Sequence, residues 1–295
     1  MSFKKDYFKF HQRIFFRIVR PLMSDTAYAN MSLRRWLGGG DVNNPKTFNE
    51  KLQWLKIHDR NPLYVTLADK YAVRDYVKDR VGNCFLNDLL GMWSNVSEID
   101  WATLPESFVL KATHGSGMNI LVTDKAALNL NKINDQLSSW MVTDYSRFGR
   151  EWVYRDIPRR IIAESLLHDS TGNVPYDYKV FCMNGEPRFI QVDVDRFGVH
   201  RRVFLDVEWQ RQAFTILHEQ YQGDLEKPVY LDAMLDAAKT LAQGIPFVRV
   251  DFYALPKIVF GEMTFYPGNG LEMFSPPEWD LRLGQMLELP VPGRA

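Results

Sequence analysis

The sequence is poor in cysteine and has no excess of charge of either sign. It contains only Cys84 and Cys182, which are too few for a disulfide scaffold and suit a reducing compartment. The 36 Lys and Arg residues balance the 36 Asp and Glu residues, so the formal net charge is zero. Proteins that bind nucleic acid along a long track normally carry a basic excess, and we therefore expect no nucleic-acid partner.

Long apolar runs are also missing. No stretch approaches the roughly 20 apolar residues that a membrane-spanning helix needs. The N-terminus is basic, but Arg13, Arg17 and Arg20 interrupt it and no small-residue cleavage site follows, so it lacks the features of a secretory signal. We therefore expect a cytoplasmic protein. Its 295 residues predict one large domain or two joined domains, at about 150 residues per domain.

Residues 1–20 form a distinct segment that is rich in basic and aromatic side chains. Six Lys and Arg residues and one acid are interleaved with Phe, Tyr, Ile and Val. A basic amphipathic helix of this kind can lie on an anionic membrane, which would bring the protein to the inner face of that membrane. The alternative is a surface helix that packs its aromatic side on the body of the protein.

Local patterns predict a mixture of helices and strands. Thr47 and Glu50 have the spacing of a capping box, which predicts a helix from residue 48 onwards, and a second helix is expected over 68–77. Later segments predict strands over 108–112, 119–123, 160–166, 176–183, 188–194, 247–253 and 258–265, and helices over 131–142 and 230–243. Asn184-Gly185 is a hairpin signal. The predicted class is α+β with antiparallel sheets.

The first candidate site is a lysine followed by a glycine-rich loop. Lys111 is expected at the end of the apolar strand 108–112, and His114-Gly115-Ser116-Gly117 follow it. The N–H groups of such a loop can close over phosphate oxygens beside the ammonium group. The order differs from a P-loop, in which Gly-Lys-Ser/Thr ends the loop. The alternative is a strand-edge lysine followed by a purely structural glycine hairpin.

The second candidate site is a pair of acids on neighbouring strands. If Pro256-Lys257 form a two-residue turn, Asp251 lies opposite Glu262, and Arg249 lies opposite Thr264. Facing carboxylates repel each other unless a cation lies between them, and Mg²⁺ is typically held by one or two carboxylates together with substrate phosphates. The alternative is two exposed strand carboxylates in a different register.

Two weaker candidates lie between these sites. Glu164 is the one acid of the apolar run 161–167, where it could face an adenosine while the backbone of 165–167 pairs with the adenine edge. It could equally be a lone charge on an edge strand. Asp177-Tyr178-Lys179 begins a strand on which a second cation could meet phosphates.

The order of these elements resembles the ATP-grasp superfamily. Lys70, Lys111 with its glycine loop, Glu164, Arg249-x-Asp251 and Glu262-x-Thr264 follow one another as they do in that superfamily. Four stretches are more narrowly similar to the TupA-like branch, which is named after teichuronopeptide biosynthesis and occurs in bacterial polysaccharide gene clusters: 47–54, 108–111, 177–179 and 261–267. The resemblance runs from residue 45 to about 290 and leaves out the basic segment 1–20.

The resemblance implies an ATP-grasp fold, in which two α+β subdomains grip the nucleotide. It divides the chain into a helical N-terminal region (1–60), a helical segment before the grasp (61–104), a lid subdomain (105–167) and a C-terminal subdomain with the metal site (168–295). The implied cofactors are ATP and Mg²⁺.

The resemblance also assigns a role to individual residues. The ATP phosphates would be bound by Lys70, Lys111, His114, Gly115, Ser116 and Gly117, with Lys179 as a phosphate or ribose contact. The adenosine would be bound by Glu164, Ser165, Leu166 and Leu167, and Mg²⁺ by Asp251, Glu262 and Thr264. The catalytic residues would be Arg249, Lys111 and Lys179. The common pattern ends in Glu-x-Asn, whereas this chain has Thr264, whose hydroxyl is a poorer metal ligand than an amide carbonyl.

The activity that the resemblance implies is that of an ATP-dependent carboxylate–amine ligase acting through an acyl phosphate. The expected partners are a uronic-acid glycan of a capsule or exopolysaccharide and an amino acid or other amine. Trp152, Trp209 and residues 266–270 are candidates for the acceptor surface. Two rival hypotheses are a glycosyltransferase of polysaccharide biosynthesis, which would use a sugar nucleotide, and a non-catalytic nucleotide-binding scaffold, which would need no intact metal ligands.

Overall fold

The computed structural model describes residues 22–169, 171–194 and 200–291. The basic segment 1–20 lies outside the described residues, so its contact with a membrane stays a prediction. Within these ranges, no helix is both long enough and apolar enough to cross a membrane.

Four α-helices lie between residue 22 and the first strand. They are α1 (Asp25–Leu37), α2 (Phe48–His58), α3 (Leu63–Ala68) and α4 (Val73–Val81), followed by a 3₁₀ turn at Asn83–Phe85. The predicted capping box at the start of α2 is confirmed, because the Glu50 N–H donates to the Thr47 hydroxyl. The continuous helix predicted over 68–77 is wrong. The Asp69 carboxylate accepts hydrogen bonds from two backbone N–H groups that follow it and begins a new turn there.

Glu50 anchors the loop before α2 as well as the helix itself. Its carboxylate accepts hydrogen bonds from the N–H groups of Asp41 (2.9 Å), Lys46 (2.7 Å) and Thr47 (2.8 Å). Burial favours the neutral acid, but these donors outweigh burial, and the pKa of Glu50 lies below its ordinary value. The ionised form therefore contributes to the stability of the fold.

We expect Glu50→Gln to lower the free energy of unfolding by about 1–3 kcal/mol at pH 7, because three partly buried N–H···O bonds lose their charged acceptor. A lowered pKa in the folded state adds stability above the ordinary Glu pKa of about 4.3, and this stability is lost as the pH falls below that value. The difference from the wild type should therefore shrink between pH 7 and pH 3. Urea denaturation at pH 7 and pH 3 measures this difference. Glu106→Gln, at an exposed position, is the control. An equal loss at both pH values would contradict the assignment.

The first sheet is small and lies near the glycine-rich loop. Its antiparallel strands are β1 (Leu89–Trp93), β2 (Phe108–Ala112), β3 (Asn119–Val122) and β4 (Ile161–Ser165), in the order β1–β4–β2–β3. One face packs against α5 (Leu130–Val142), and 3₁₀ turns lie at Val96–Glu98, Tyr145–Arg147 and Trp152–Tyr154. The segment 61–104, which is predicted to be helical, therefore also contains strand β1.

The second sheet carries most of the core. Its antiparallel strands are β5 (Asp177–Met183), β6 (Glu186–Val194), β7 (Arg201–Asp206), β9 (Phe247–Ala254) and β10 (Ile258–Thr264), in the order β10–β9–β5–β6–β7. A separate pair is formed by β8 (Thr215–Ile216) and β11 (Phe274–Ser275). The predicted hairpin at Asn184-Gly185 is confirmed. Both residues have positive φ, 55° and 82°, as a type I′ turn requires.

One face of the second sheet is polar at one end and apolar at the other. Side chains alternate along a strand, so Asp177, Lys179 and Phe181 of β5 share a face. Phe181 stacks on Phe189 with 4.2 Å between ring centroids, in a core cluster that also contains residues of α2. The remaining elements are α6 (Leu231–Leu241) on the opposite face, α7 (Glu278–Met286) beside α2, and a 3₁₀ turn at Pro267–Gly270. The predicted class, α+β with antiparallel sheets, is confirmed.

Candidate functional site

The polar end of the second sheet faces the glycine-rich loop across a cavity of about 290 Å³, which we call the cleft. Eight of the predicted site residues line it: Lys70, Lys111, Ser116, Gly117, Lys179, Arg249, Asp251 and Glu262. The other lining residues are Met118, Asn119, Asp177, Asp193, His200, Arg202, Tyr253 and Gly261. Residues far apart in the sequence therefore meet in one charged opening.

The glycine-rich loop is positioned by Lys70 and Tyr145. The Lys70 ammonium donates to the carbonyl of Gly115 at 2.6 Å. A Cβ at Gly115 would lie 2.9 Å from Cδ2 of Tyr145, so the loop can approach that ring only with glycine there. Lys70 also lies 3.6 Å from the Glu262 carboxylate. One lysine thus connects the loop to the acid on the opposite wall of the cleft.

Lys111 is held at the cleft by Glu164. The Lys111 ammonium lies 2.6 Å from one carboxylate oxygen of Glu164, and Arg74 lies 2.9 Å from the other. Glu164 is buried and is not among the residues that line the cleft. Its carboxylate pairs with two cations and so positions Lys111, a role that the sequence does not predict. Arg74 was missed because it carries no motif of its own.

The proposed adenosine segment follows Glu164 directly. The N–H of Ser165 donates to the carbonyl of Asp88 at 3.1 Å, and the Ser165 carbonyl accepts from the Asn87 side chain at 2.8 Å. Leu166 and Leu167 are half-buried. Ser165, Leu166 and Leu167 are also absent from the lining of the cleft, and their adenine contact stays a prediction.

His114 lies beneath the loop rather than in the cleft. It is buried, and its Nε2 lies 3.0 Å from the carbonyl of Trp140. Burial lowers the pKa of His114 below its ordinary value, so the ring is neutral at pH 7. Its position suits packing under the loop, and a direct phosphate contact by this ring has no support in the geometry.

The predicted facing of the acids on β9 and β10 is confirmed, but the two-residue turn predicted to produce it is wrong. Asp251 pairs with Glu262 and Arg249 pairs with Thr264. The loop at the end of the hairpin contains three residues, 255–257, rather than two. A bulge at Gly261 supplies the compensating residue. A Cβ at Gly261 would lie 3.1 Å from the carbonyl oxygen of Asp251, which explains why glycine suits this close approach.

Arg249 lies beside both acids and pairs most closely with Asp251. Its guanidinium donates to both carboxylate oxygens of Asp251, at 2.7 and 2.6 Å, and lies 3.5 Å from Glu262. The same group donates to the Thr264 hydroxyl at 3.1 Å. Burial favours the neutral form of Glu262, but Lys70 and Arg249 outweigh it and lower the pKa of Glu262 to about 2. Glu262 is therefore ionised at neutral pH.

The chemistry of this pair fits Mg²⁺. Two carboxylates offer hard oxygen ligands, which Mg²⁺ prefers. Thr264 is not among the residues that line the cleft, and its hydroxyl already accepts a hydrogen bond from Arg249. Across the described ranges, no group of three or more His, Cys, Asp or Glu side chains is arranged to hold a metal ion. The protein would therefore supply only part of a coordination shell. That arrangement suits Mg²⁺ bound together with nucleotide phosphates, because such sites use one or two carboxylates.

Lys179 is the buried centre of a cluster of acids from three strands. Its ammonium contacts Asp177 and lies 3.3 Å from Asp193 and 3.5 Å from Asp251. Burial alone would lower the pKa of Lys179, but the acids, Asp177 first, raise it above its ordinary value. Lys179 thus links Asp251 of the proposed metal site to the acids of β5 and β6.

No sequence motif predicts the part of the cleft that β6 and β7 supply. Asp193 accepts a hydrogen bond from Arg202 at 2.9 Å and lies 3.1 Å from Nε2 of His200. Arg202 also lies 3.7 Å from Glu272. The strand β7 was not predicted, because its start is rich in arginine. The alternation of Gln191 and Asp193 on one face of β6 is the only local signal that points here.

Of the two tryptophans proposed for the acceptor surface, Trp152 is buried and Trp209 is half-buried. Nε1 of Trp152 donates to the Tyr266 hydroxyl at 3.0 Å. Trp209 packs against the main core, and its Nε1 donates to the carbonyl of Leu225. Assigning Trp152 to an acceptor surface is therefore wrong, because its ring and its N–H both have partners inside the fold.

The family model described as TupA-like ATPgrasp matches residues 50–288 of this chain. The match includes every residue of the cleft. No curated protein sequence matches the chain.

Several solved structures are similar in fold at low identity. The ADP complex of PurK, N5-carboxyaminoimidazole ribonucleotide synthetase, is 12 % identical with a TM-score of 0.44, and the match covers 72 % of this chain and 49 % of that one. D-alanine–D-alanine ligase from Bacillus anthracis with ATP is 12 % identical with a TM-score of 0.40, covering 82 % and 63 %. The ATP-grasp ligase PsnB with minimal precursor, Mg and ADP is 12 % identical with a TM-score of 0.39, covering 73 % and 57 %. This chain therefore matches between 49 % and 63 % of the length of these structures.

Proposed function

The chain belongs to the TupA-like ATP-grasp family and has the ATP-grasp fold, and on that premise we propose that it is an ATP-dependent carboxylate–amine ligase. The observation that carries the proposal is the composition of the cleft. A glycine-rich loop with two lysines lies on one wall, and a pair of facing carboxylates with an arginine lies on the other. Cations and loop N–H groups can hold a triphosphate, while the acids can hold its metal.

The reaction proceeds in two steps under this proposal. A substrate carboxylate attacks the γ-phosphorus of ATP, the bond to ADP breaks, and an acyl phosphate forms. The amine nitrogen then attacks the acyl carbon, loses a proton, and expels phosphate to give an amide. Both steps concentrate negative charge on phosphate oxygens, so positioning and electrostatic stabilisation supply most of the catalysis.

Each wall of the cleft has a part in the first step. Lys111 is fixed by Glu164 at the mouth of the glycine loop, where its ammonium would stabilise the charge on the phosphates. Asp251 and Glu262 would hold Mg²⁺, which when bound neutralises phosphate charge. Arg249 would stabilise the transferring phosphoryl group, because its guanidinium already lies beside both acids. Lys70 would keep the loop close to the acid wall.

For the substrates, we propose a uronic-acid carboxylate of a capsular or exopolysaccharide glycan and an amino acid or other amine. The support is the resemblance to the branch named after teichuronopeptide biosynthesis. Contact of residues 1–20 with a membrane is a further proposal, since a glycan assembled at the inner face of a membrane would be met there.

The proposal is tested by incubating the protein with ATP, Mg²⁺, glucuronic or galacturonic acid, and a panel of amino acids. We expect ADP and phosphate to be released only when an acid and an amine are both present, with an amide detected by mass spectrometry. Formation of AMP, or ATP hydrolysis that ignores both substrates, would contradict it. Release of a nucleoside diphosphate from a sugar nucleotide would favour a glycosyltransferase, and nucleotide binding without turnover would favour a scaffold.

A further inference from the structure

A second cavity, of about 390 Å³, is lined in part by the exposed side chains of Arg35, Trp36 and Phe148. We call it the aromatic groove. It is formed by α1, the residues after the 3₁₀ turn Tyr145–Arg147, and the loop 268–271. Trp36 and Phe148, two of its walls, are each 60 % exposed. Two large aromatic rings this exposed in one concavity are typical of a ligand-binding groove.

Trp36 belongs to none of the hydrophobic core clusters of the described residues. α1 packs against α2 through Ala29 and Leu33, which are buried and form a small core cluster there. Trp36 lies outside that cluster, with the Arg35 guanidinium 5.7 Å from its ring centroid. The helix therefore has its packing face and, separately, an aromatic and cationic face at the groove.

The charge of the groove selects an anionic ligand. Arg35, which lines the groove, is exposed, and it forms no ion pair with any residue in the parts of the chain that the structure describes. An arginine fork binds carboxylates in two-point geometry. Flat rings that stack on apolar C–H faces, next to arginines that take carboxylates, are complementary to a sugar chain that carries uronic acids.

One aromatic residue, Tyr145, lies between the groove and the glycine-rich loop of the cleft. Phe148 contacts Tyr145, with 5.7 Å between ring centroids. The Tyr145 ring in turn lies against Gly115 of the glycine-rich loop. A chain lying in the groove would therefore end near the wall of the cleft that carries the loop. A polymeric substrate needs such an extended surface beside the site of reaction, whereas a free amino acid or monosaccharide does not.

We propose that the aromatic groove binds the glycan substrate, with Trp36 and Phe148 stacking on sugar rings and Arg35 pairing with a uronate carboxylate. The identity of the ligand as a substrate rests on the proposed ligase function, but binding in the groove can be measured without ATP. A membrane surface is the competing ligand, because the groove is both aromatic and basic.

The test is isothermal titration of hexameric oligogalacturonate, neutral maltohexaose and vesicles with one third phosphatidylserine into the full chain. We expect the acidic oligosaccharide to bind and the neutral one to bind at least tenfold more weakly. Trp36→Ala, Phe148→Ala and Arg35→Gln should each weaken the acidic oligosaccharide by about tenfold, as expected when a stacked ring or a charge pair is lost. Tyr230→Ala removes a 38 % exposed ring on the far side of the second sheet and is the matched control.

Three outcomes would overturn the groove proposal. The first is that the acidic oligosaccharide does not bind, and the second is that it binds equally well to Trp36→Ala and Phe148→Ala. The third is that vesicles bind, that these variants abolish vesicle binding, and that the oligosaccharide does not bind. The ligase proposal is judged separately. If ligation occurs, Trp36→Ala should lower kcat/KM for the oligosaccharide about tenfold relative to that for the monosaccharide. Oligosaccharide binding without any ligation would leave the groove standing and contradict the ligase alone.

Discussion

Glu262→Gln is expected to lower kcat for ATP turnover by about 10²–10³-fold, the loss typical when one preorganised charge-stabilising group is removed from an active site. Glutamine keeps the size of the side chain, so the pairing with Asp251 across the Gly261 bulge should persist. The substitution removes the negative charge that would attract the metal ion. Because the pKa of Glu262 is lowered to about 2, the wild-type group is ionised over the whole neutral range.

The structural effect of the same substitution should be small. The Glu262 side chain is 32 % exposed, and its ion pairs with Lys70 and Arg249 are 3.6 and 3.5 Å long. Such partly exposed pairs contribute about 1 kcal/mol or less to folding. Steady-state kinetics at increasing Mg²⁺ concentration, together with the melting temperature, separate the two effects. The control is Glu106→Gln. A variant that turns over ATP within threefold of the wild type would exclude Glu262 from the metal site.

Lys179→Met should lower the free energy of unfolding by about 3–5 kcal/mol, because it leaves three buried acids without their shared cation. The side chain of Lys179 is 6 % exposed, and its ammonium is shared by Asp177, Asp193 and Asp251. Methionine fills much of the same volume, so the loss reports charge rather than packing. The surface variant Lys239→Met is the matched control, since the Lys239 side chain is 57 % exposed beside Glu186, and it should cost less than about 1 kcal/mol.

The pH dependence of this loss has a defined sign. Burial raises the pKa of Asp193, but Lys179 and Arg202 outweigh burial and hold it below the ordinary value. A lowered folded-state pKa adds stability above the ordinary Asp pKa of about 3.9, and this stability disappears as the pH falls below it. The difference between wild type and Lys179→Met should therefore be largest at neutral pH. Urea denaturation between pH 7 and pH 3 measures it, and Asp193→Asn in the same chain should restore part of the stability. No loss at pH 7 would contradict the charge network.

The sequence predicts the local features of this fold well. The strand Phe108–Ala112 and the hairpin at Asn184-Gly185 follow from apolar runs and turn residues, which act over a few positions. Strand β1 was missed because its five residues contain a glycine and form no long run. Strand β1 forms because it pairs with β4, and a local sequence pattern does not predict pairing between segments so far apart in the chain.

In the candidate site, too, some contacts can be predicted from the sequence and others cannot. The facing of Asp251 and Glu262 is accessible from the sequence because one hairpin connects them, although a three-residue loop and a compensating bulge produce it. The partners of Lys179 come from three strands, and the partner of Lys111, Glu164, comes from a neighbouring strand and is itself held by Arg74 of α4. These contacts depend on which strands become neighbours. Motif order, through its resemblance to a family, supplied what residue spacing alone did not.

The most direct test of the nucleotide site is a crystal structure of the protein with Mn²⁺ and a non-hydrolysable ATP analogue. We expect an anomalous peak at coordination distance from both Asp251 and Glu262, with the triphosphate between that ion and the loop Gly115-Ser116-Gly117. A nucleotide bound outside the cleft, or bound in it with no ion at the two acids, would contradict the central claim.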